Sequence, residues 1–451
     1  MTRTPEDWLL ILTARMDART PSVALLRSYT NGNAPLPEMG KNTKASWEAF
    51  QKKARTNYGG RAVQSLGGRL RVNGIRIGSA QTSPALTAAR RIWRDNQMDV
   101  QIKGAINDYL TTRYGYLVVG LSASGEAIVT RELPEQFIAA TDPARPWKAT
   151  AALKVWRDLD NGFDYAQVWS PGFVQRFSRP SKTSFGLLRV VASGDDWAPL
   201  AEALAYEGEP TIIVWDREES LIEPHLDVID RINLGKLQRL VVTAMQAFKQ
   251  RATKGVLPDK DAEGNDIDWA TALEAAPGAL WDLPVGIDIW ESEQTDIRPL
   301  LEGEKSDLRD FAASTGTPIA EFIPDGQNQS ATGAANVTTP QYLQAKDEQD
   351  ALGPGLQVLL VYALRAEGID LAGESVEVLW VEPDRVSMAE KYAAAAQAKG
   401  AGLSRRGVMR DILGMSPDQI AQEELDLADE QLSAFTLTGG LPAPVPNAPA
   451  I

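Results

Sequence analysis

Few side chains in this 451-residue sequence are of the types that make and break bonds. There is one histidine, His225, and no cysteine. A histidine acting as a general base needs a nucleophile and an orienting acid beside it. Nothing marks such partners around His225, which falls in the expected first turn of a helix, so a structural or exposed histidine is the plainer reading. Zinc needs several His or Cys ligands and is excluded. The stretch DKDAEGNDIDWA, residues 259–270, sets Asp259, Asp261, Glu263 and Gly264 in the order that opens an EF-hand calcium loop. Its twelfth position is Ala270 where a bidentate Glu belongs, and its eighth is Asp266 where an apolar residue belongs. An acidic hairpin tip explains it as well. EGEKSD, residues 302–307, lacks both the Gly before Lys305 and the upstream glycines of a phosphate loop, and the Gly pairs at 59–60 and 67–68 lack dinucleotide spacing. Twelve tryptophans among sixty carboxylates would suit a carbohydrate-active hydrolase, but no acid pair stands out. The chain is read as non-enzymatic, without cofactor or metal, with a hydrolase as the alternative.

Composition narrows the partners. The net charge is −14 and the pI near 4.8, the wrong balance for a protein that grips nucleic acid through clustered Lys and Arg. Hydrophobic residues make up 43%, enough for a real core. No apolar run reaches the ~18 residues of a membrane helix. The N-terminus has only five apolar residues in a row, Trp8 to Leu12, and no signal-peptide cleavage pattern. A soluble protein of a reducing compartment is expected. Against this charged background, GQNQSATGAANVTTPQYLQA, residues 326–345, holds twenty residues with no charge.

The elements that must position these residues read as α+β. Residues 5–60 look helical, with a break at Thr20-Pro21 and a stop near Asn31-Gly32. Leu70, Val72, Ile75 and Ile77 flank Asn73-Gly74 as a hairpin would, and 84–113 reads as one helix. From 114 to 215 apolar runs alternate with Ser-Gly and Asn-Gly turns, the mark of antiparallel strands. Residues 221–254 carry Ile222, Leu226, Ile229, Leu237, Leu240, Ala244 and Phe248 at helical spacing, one long amphipathic helix. An insert at 255–296 holds Trp269, Trp281 and Trp290. A second helix ends at Gly316, and Thr339 and Pro340 fit the cap and first turn of a third, which Gly353-Pro354-Gly355 should kink or interrupt. A strand, SVEVLWVEP, and two or more helices follow. The Pro-rich end, GGLPAPVPNAPAI, reads as a disordered tail.

This order of parts, with the phrases YTNGNAPLP, IWRDNQMD, ATDP, TGTPIAEF and KYAAAAQAKGAGLSRRGVMRDILGMSPDQI, resembles the portal proteins of tailed bacteriophages, of the type found in siphophages of actinobacteria. The likeness covers roughly residues 5–430. It departs at WDREESLIEP, 215–224, where a Gly-Xaa-Ser-Glu wording would be expected before the long helix. The resemblance implies a ring of twelve copies at one capsid vertex, which nucleates head assembly, docks the packaging motor, passes DNA and later joins the tail. It implies a wing over 1–220 with a returning strand in 340–386, and stem helices at 221–254 and 297–322. It also implies a clip at 255–296, a tunnel loop at 323–339, a helical crown at 387–435 and a tail at 436–451. On that map Gln327, Asn328, Gln329, Ser330, Thr332 and Asn336 face the DNA channel, and Lys236, Arg239, Lys249 and Arg251 are available to face it from the stem. Asp259, Asp261, Asp266, Trp269, Trp281 and Trp290 form the clip surface toward the motor. Implied partners are double-stranded DNA held without sequence preference, the terminase large subunit, head-completion or adaptor proteins, and the major capsid and scaffolding proteins. No membrane is involved. The virion, and the host cytoplasm during assembly, are the expected locations. A peripheral capsid scaffold without a channel is the other alternative.

The residues fit such a ring physically. A closed ring uses two different faces of each subunit, which long stacked helices can supply. Twelve subunits at −14 each would carry −168 before counterions, and within a Debye length of ~8 Å such a wall repels phosphate. A stretch of Gly, Ser, Thr, Asn and Gln offers only hydrogen bonds that water can replace, with no Lys or Arg to trap a phosphate. An ordinary flexible surface loop would have the same composition.

Overall fold

The computed structural model describes residues 3–37, 45–78, 83–181, 196–200, 202–206, 208–247, 251–255, 288–291, 295–323, 331–383 and 388–437, with single positions at 192, 194, 258, 260, 264, 269 and 286. The chain divides into two compact units. One comprises Met1–Ala34, Asn57–Leu226 and Phe311–Ile451; the other comprises Pro35–Thr56 and Asp227–Asp310. The fold is a mixed one of helices and antiparallel sheet.

The first unit opens with α1 (Pro5–Thr30). Thr4 and Asp7 form a capping box, each side chain meeting the other's backbone N–H at 2.9 and 3.2 Å. The helix runs through Pro21 without the expected break. Proline costs a hydrogen bond there, but Trp8, Leu9, Leu12 and Met16 before it and Val23, Leu26 and Tyr29 after it are all buried on one stripe. Burying seven large side chains outweighs one missing donor. Helix α3 (Tyr58–Gly67), strand β1 (Val72–Ile77), α4 (Pro84–Asp95) and α5 (Met98–Thr112) follow; α2 (Ala45–Ala54) lies in the second unit.

Two expectations are corrected here. Asn73-Gly74 is not a hairpin turn but the bulge of a single strand, β1, which pairs antiparallel with distant β13 (Val376–Trp380). Residues 84–113 are two helices because the Asn96 side chain pairs with the strand beside it: its Nδ2 donates to the Ala127 carbonyl at 2.9 Å and its Oδ1 accepts from Val129 N at 2.8 Å. Gln97, at φ 49°, completes the break.

Among the described residues nine strands form the main sheet, in the order β3 (Ala127–Glu132), β2 (Tyr114–Leu121), β10 (Ile212–Asp216), β5 (Arg145–Asp158), β6 (Phe163–Ser170), β7 (Phe173–Pro180), β8 (Ala198–Pro199). β4 (Phe137–Asp142) joins β5, and β9 (Leu204–Ala205) joins β7. All pairings are antiparallel, as the alternating runs and Gly turns predict. Helix α1 closes one face: Trp8, Leu9, Leu12 and Met16 pack with Ile138, Leu153, Val155, Val168 and Phe177. A second cluster gathers Tyr116, Phe137, Ile212 and Val214. Between α1, α5 and the sheet sits Asp108, fully buried, which accepts from Arg27 at 2.8 Å and twice from Arg131 at 2.6 and 2.8 Å. Another buried node joins Asp164 to Arg157 at 2.7 Å.

The long helix α8 (Ala331–Ala366) begins before the expected start at Thr339-Pro340 and is not interrupted at Pro354. Thr339 and Pro340 therefore lie inside a helix, and 331–338 is helical. The glycines of Gly353-Pro354-Gly355 serve contact with the sheet. A Cβ on Gly355 would fall 2.5 Å from Trp215 Nε1 and 3.0 Å from an Ile213 methyl. Leu352, Leu356, Leu359 and Leu360 around it are buried. The chain closes with α9 (Met388–Gly400), the short α10 (Arg405–Gly407) leading into a π-turn at Val408–Ile412, and α11 (Pro417–Leu437). The predicted tail lies outside the described residues.

Gly355→Ala is expected to cost about 1–3 kcal/mol by overpacking against Trp215. Combining it with Trp215→Phe, which removes the offending indole nitrogen, should recover part of that loss; chemical denaturation of the three variants measures the coupling.

Candidate functional site

The expected long helix, most of which lies in the second unit, splits into three parts. A short 3₁₀ turn, Glu223–His225, precedes α6 (Leu226–Ala247), and Arg251–Lys254 is not helix but a strand, β11. It pairs antiparallel with β12 (Asp288–Glu291), and this partner across the insert is what ends the helical run. The returning helix α7 spans Arg298–Ser314. Side-chain pairs lock α6 and α7 together. Arg231 donates to Asp307 at 2.9 Å and lies 3.6 Å from Asp310, while Lys236 and Arg239 both meet Glu304, the latter at 3.2 Å. Gln246 donates to the Thr295 carbonyl at 2.9 Å. As one number climbs the other falls, and the same trend continues into the pairs Arg251–Glu291 and Lys254–Asp288 of the strands. The element is thus one antiparallel hairpin, helical over most of its length and β-paired toward the insert. Ile229, Ile232, Leu237 and Leu308 are buried. Asn233, also buried, accepts from Thr56 N and Oγ1 at 3.0 and 2.9 Å, which brings the segment after α2 to α6.

In the first unit the uncharged run over 326–340 has firmly held flanks. On its N-terminal side Phe322 meets Tyr58 and Phe311 edge-on, with ring centroids 5.6 Å from each, and Phe311 in turn meets His225 at 6.3 Å. Burial holds His225 below the usual imidazole range, partly opposed by Glu219, so the lone histidine is a neutral packing group. Thr315 donates to Phe311 O at 2.8 Å, and Arg61 pairs with the Glu321 carboxylate. On the C-terminal side Gln341, fully buried, donates to Ser65 Oγ at 2.8 Å. Tyr342 and Lys346 both reach Glu382, at 2.7 and 2.8 Å, and Gln349 donates to the Val381 carbonyl. Glu348 pairs with Arg217 at 3.1 Å. Burial nevertheless pushes its carboxyl up, against the pull of Arg217 and of a Tyr109 hydrogen bond.

The family model for phage portal proteins of the SPP1 Gp6-like type matches residues 10–433. The chain belongs to this portal family. No curated protein matches it. Two solved structures are similar in fold. One is the neck of native GTA particle computed with C12 symmetry, 14% identical over 87% of this chain and 99% of that one, with a TM-score of 0.46. The other is the neck of empty GTA particle computed with C6 symmetry, 14% identical over 82% and 94%, with a TM-score of 0.47. The portal role, a conduit at the capsid vertex, follows from the family, which is a structural one. No helix among the described residues is long and apolar enough to cross a membrane.

Within this portal subunit the predicted site residues fall unevenly. Lys236 and Arg239 are brought together on one carboxylate, a pairing that only the returning helix reveals. Thr332 and Asn336 are in the first turns of α8, and Arg251 is in β11. Trp290 stands in β12, 44% exposed, and Trp269 donates to the Pro258 carbonyl at 2.8 Å. Gln327, Asn328, Gln329, Ser330, Lys249, Asp259, Asp261, Asp266 and Trp281 lie outside the described residues. The anchoring residues Tyr58, Phe322, Gln341 and Glu382 escaped the sequence reading because they are ordinary types at unremarkable spacing.

Removing Glu304 with alanine strands two cations and is expected to destabilise the portal subunit by roughly 2–3 kcal/mol, read by urea denaturation. Arg217→Ala, which leaves Glu348 buried without its cation, should cost roughly 3 kcal/mol, whereas Glu348→Gln should stay within about 1 kcal/mol of the native chain.

Proposed function

We propose that this portal subunit assembles as a ring of twelve around a channel for double-stranded DNA, and that the ring acts by low friction, without catalysis. The α6–α7 hairpin forms the stem, with residues 255–296 as the clip that meets the terminase large subunit and later the head-completion or adaptor proteins. The main sheet and its helices form the wing and the terminal helices the crown. These, on this reading, meet the major capsid and scaffolding proteins during assembly in the host cytoplasm. Residues 323–339, helical at least from Ala331, supply the narrow part of the channel. Gln327, Asn328, Gln329, Ser330, Thr332 and Asn336 are the side chains assigned to the DNA, and the acids and tryptophans of 259–290 are those assigned to the motor.

One observation carries this: in a portal-family chain, the uncharged run 326–340 is bracketed by flanks that packing and hydrogen bonds hold in place. A polyanion sliding past such a stretch meets donors and acceptors that water can replace, and no cation. The pairing of Lys236 and Arg239 with Glu304 supports the same reading, because cations already satisfied within the subunit have less to offer a phosphate.

Native mass spectrometry and electron microscopy of the purified chain should show closed rings near twelvefold; a monomer at every concentration and salt tested would reject the ring. Asn328→Lys and Ser330→Lys should still form rings but slow DNA packaging, and normal packaging by both would reject the low-friction account.

A further inference from the structure

Helix α11 is packed toward its N-terminus and solvent-exposed toward its C-terminus. Ile420 is buried, Asp418 pairs with Arg90 at 2.5 Å, Glu424 pairs with Arg406, and Pro417 lies against Gly74. From Ala428 to Ser433 every residue is exposed. That exposed part is not uniformly polar. Ala421, Leu425, Ala428 and Leu432 follow at steps of four, three and four, the repeat of a coiled-coil seam, with Leu425 62% and Leu432 64% exposed. Helix α9 carries a seam with the same steps, Met388, Tyr392, Ala395 and Lys399; Met388 and Tyr392 are 60% and 59% exposed, and no residue of this helix is buried.

Charge chooses between possible occupants. Helix α11 has six carboxylates and no Lys or Arg, and on its outer half Asp426, Asp429 and Glu430 form no ion pair among the described residues. Two copies of α11 side by side would set the residues flanking the seam, Glu424 and Asp429, against their own kind, which is unfavourable. Helix α9 offers the opposite sign: Lys391 flanks its seam, and Lys399 ends it, exposed and without a partner among the described residues.

We propose that α11 of one subunit lays its Leu425–Leu432 seam on the Met388–Lys399 seam of a neighbouring copy. The two faces differ, so the contact is head-to-tail and closes only around a ring. The inference therefore rests on the ring reading and adds the surfaces that join adjacent subunits.

The chain has no cysteine, so introduced thiols report without background. L425C combined with Y392C, oxidised in assembled particles, should give a ladder of covalent oligomers extending past the dimer on a denaturing gel, while each single variant stays monomeric. Rings visible by microscopy without a ladder would overturn the seam and leave the ring intact. Disulfide dimers from L425C alone would show an α11–α11 contact and also overturn it. Absence of rings in the unmodified chain would count against the ring reading itself.

Discussion

The carboxylate of Glu304 holds two cations of the facing helix at once. Lys236 and Arg239 both end on it, and Arg231 ends on Asp307 and Asp310. These are contacts between the two antiparallel helices, so the pairs that quiet the charge also help set the register of the hairpin. That register runs on into β11 and β12, where backbone hydrogen bonds replace ion pairs. Isolated pairs at a surface stabilise little. Several converging on partly buried carboxylates above a core of Ile229, Ile232, Leu237 and Leu308 can hold one helix against the other without slippage.

The first unit solves a different problem. Its sheet is built from many short antiparallel strands, and helices α1 and α8 supply apolar cover where the strands cannot. Two of its buried carboxylates sit in closed nodes. Asp108 answers Arg27 and Arg131, and Asp164 answers Arg157, so each costly carboxylate has its cations in hydrogen-bond contact. Removing either side would leave an uncompensated charge, which ties α1, α5 and the sheet into one arrangement.

Much of this was legible from residue order. Alternation and Gly turns identify β2–β3 and β5–β6–β7 because both signals are local. The misreadings share a cause. Pro21 breaks a helix in isolation, but burial on both sides carries α1 through it. Asn73-Gly74 turns a hairpin only if the neighbouring strand is adjacent in sequence, and the partner of β1 lies some three hundred residues away. Asn96 ends α4 by reaching a strand, and β11 is a strand only because β12 returns to it. In the candidate site the silent stretch was visible as composition, whereas the anchors on either side of it depend on contacts between distant segments. The pairing of Lys236 and Arg239 with one acid was equally hidden, since nothing in α6 alone names Glu304.

The two readings of where α8 begins are reconciled by the strength of its first turns. Residues 331–340, ATGAANVTTP, include Gly, Asn, Val and three Thr, each ~0.5–1 kcal/mol poorer than Ala in a helix, and Pro340 denies a donor to the turn before it. Beyond Pro340 the balance reverses. Gln341, Ala345, Leu352, Leu356 and Leu360 are buried, and Tyr342 and Lys346 are tied to Glu382. After Pro340 the helix is held by tertiary contacts. Thr339-Pro340 reads as a start signal because it marks that change of regime, even though helical hydrogen bonding extends past it to Ala331. Low intrinsic propensity before Pro340 and dense packing after it are why the start signal is read at Thr339-Pro340.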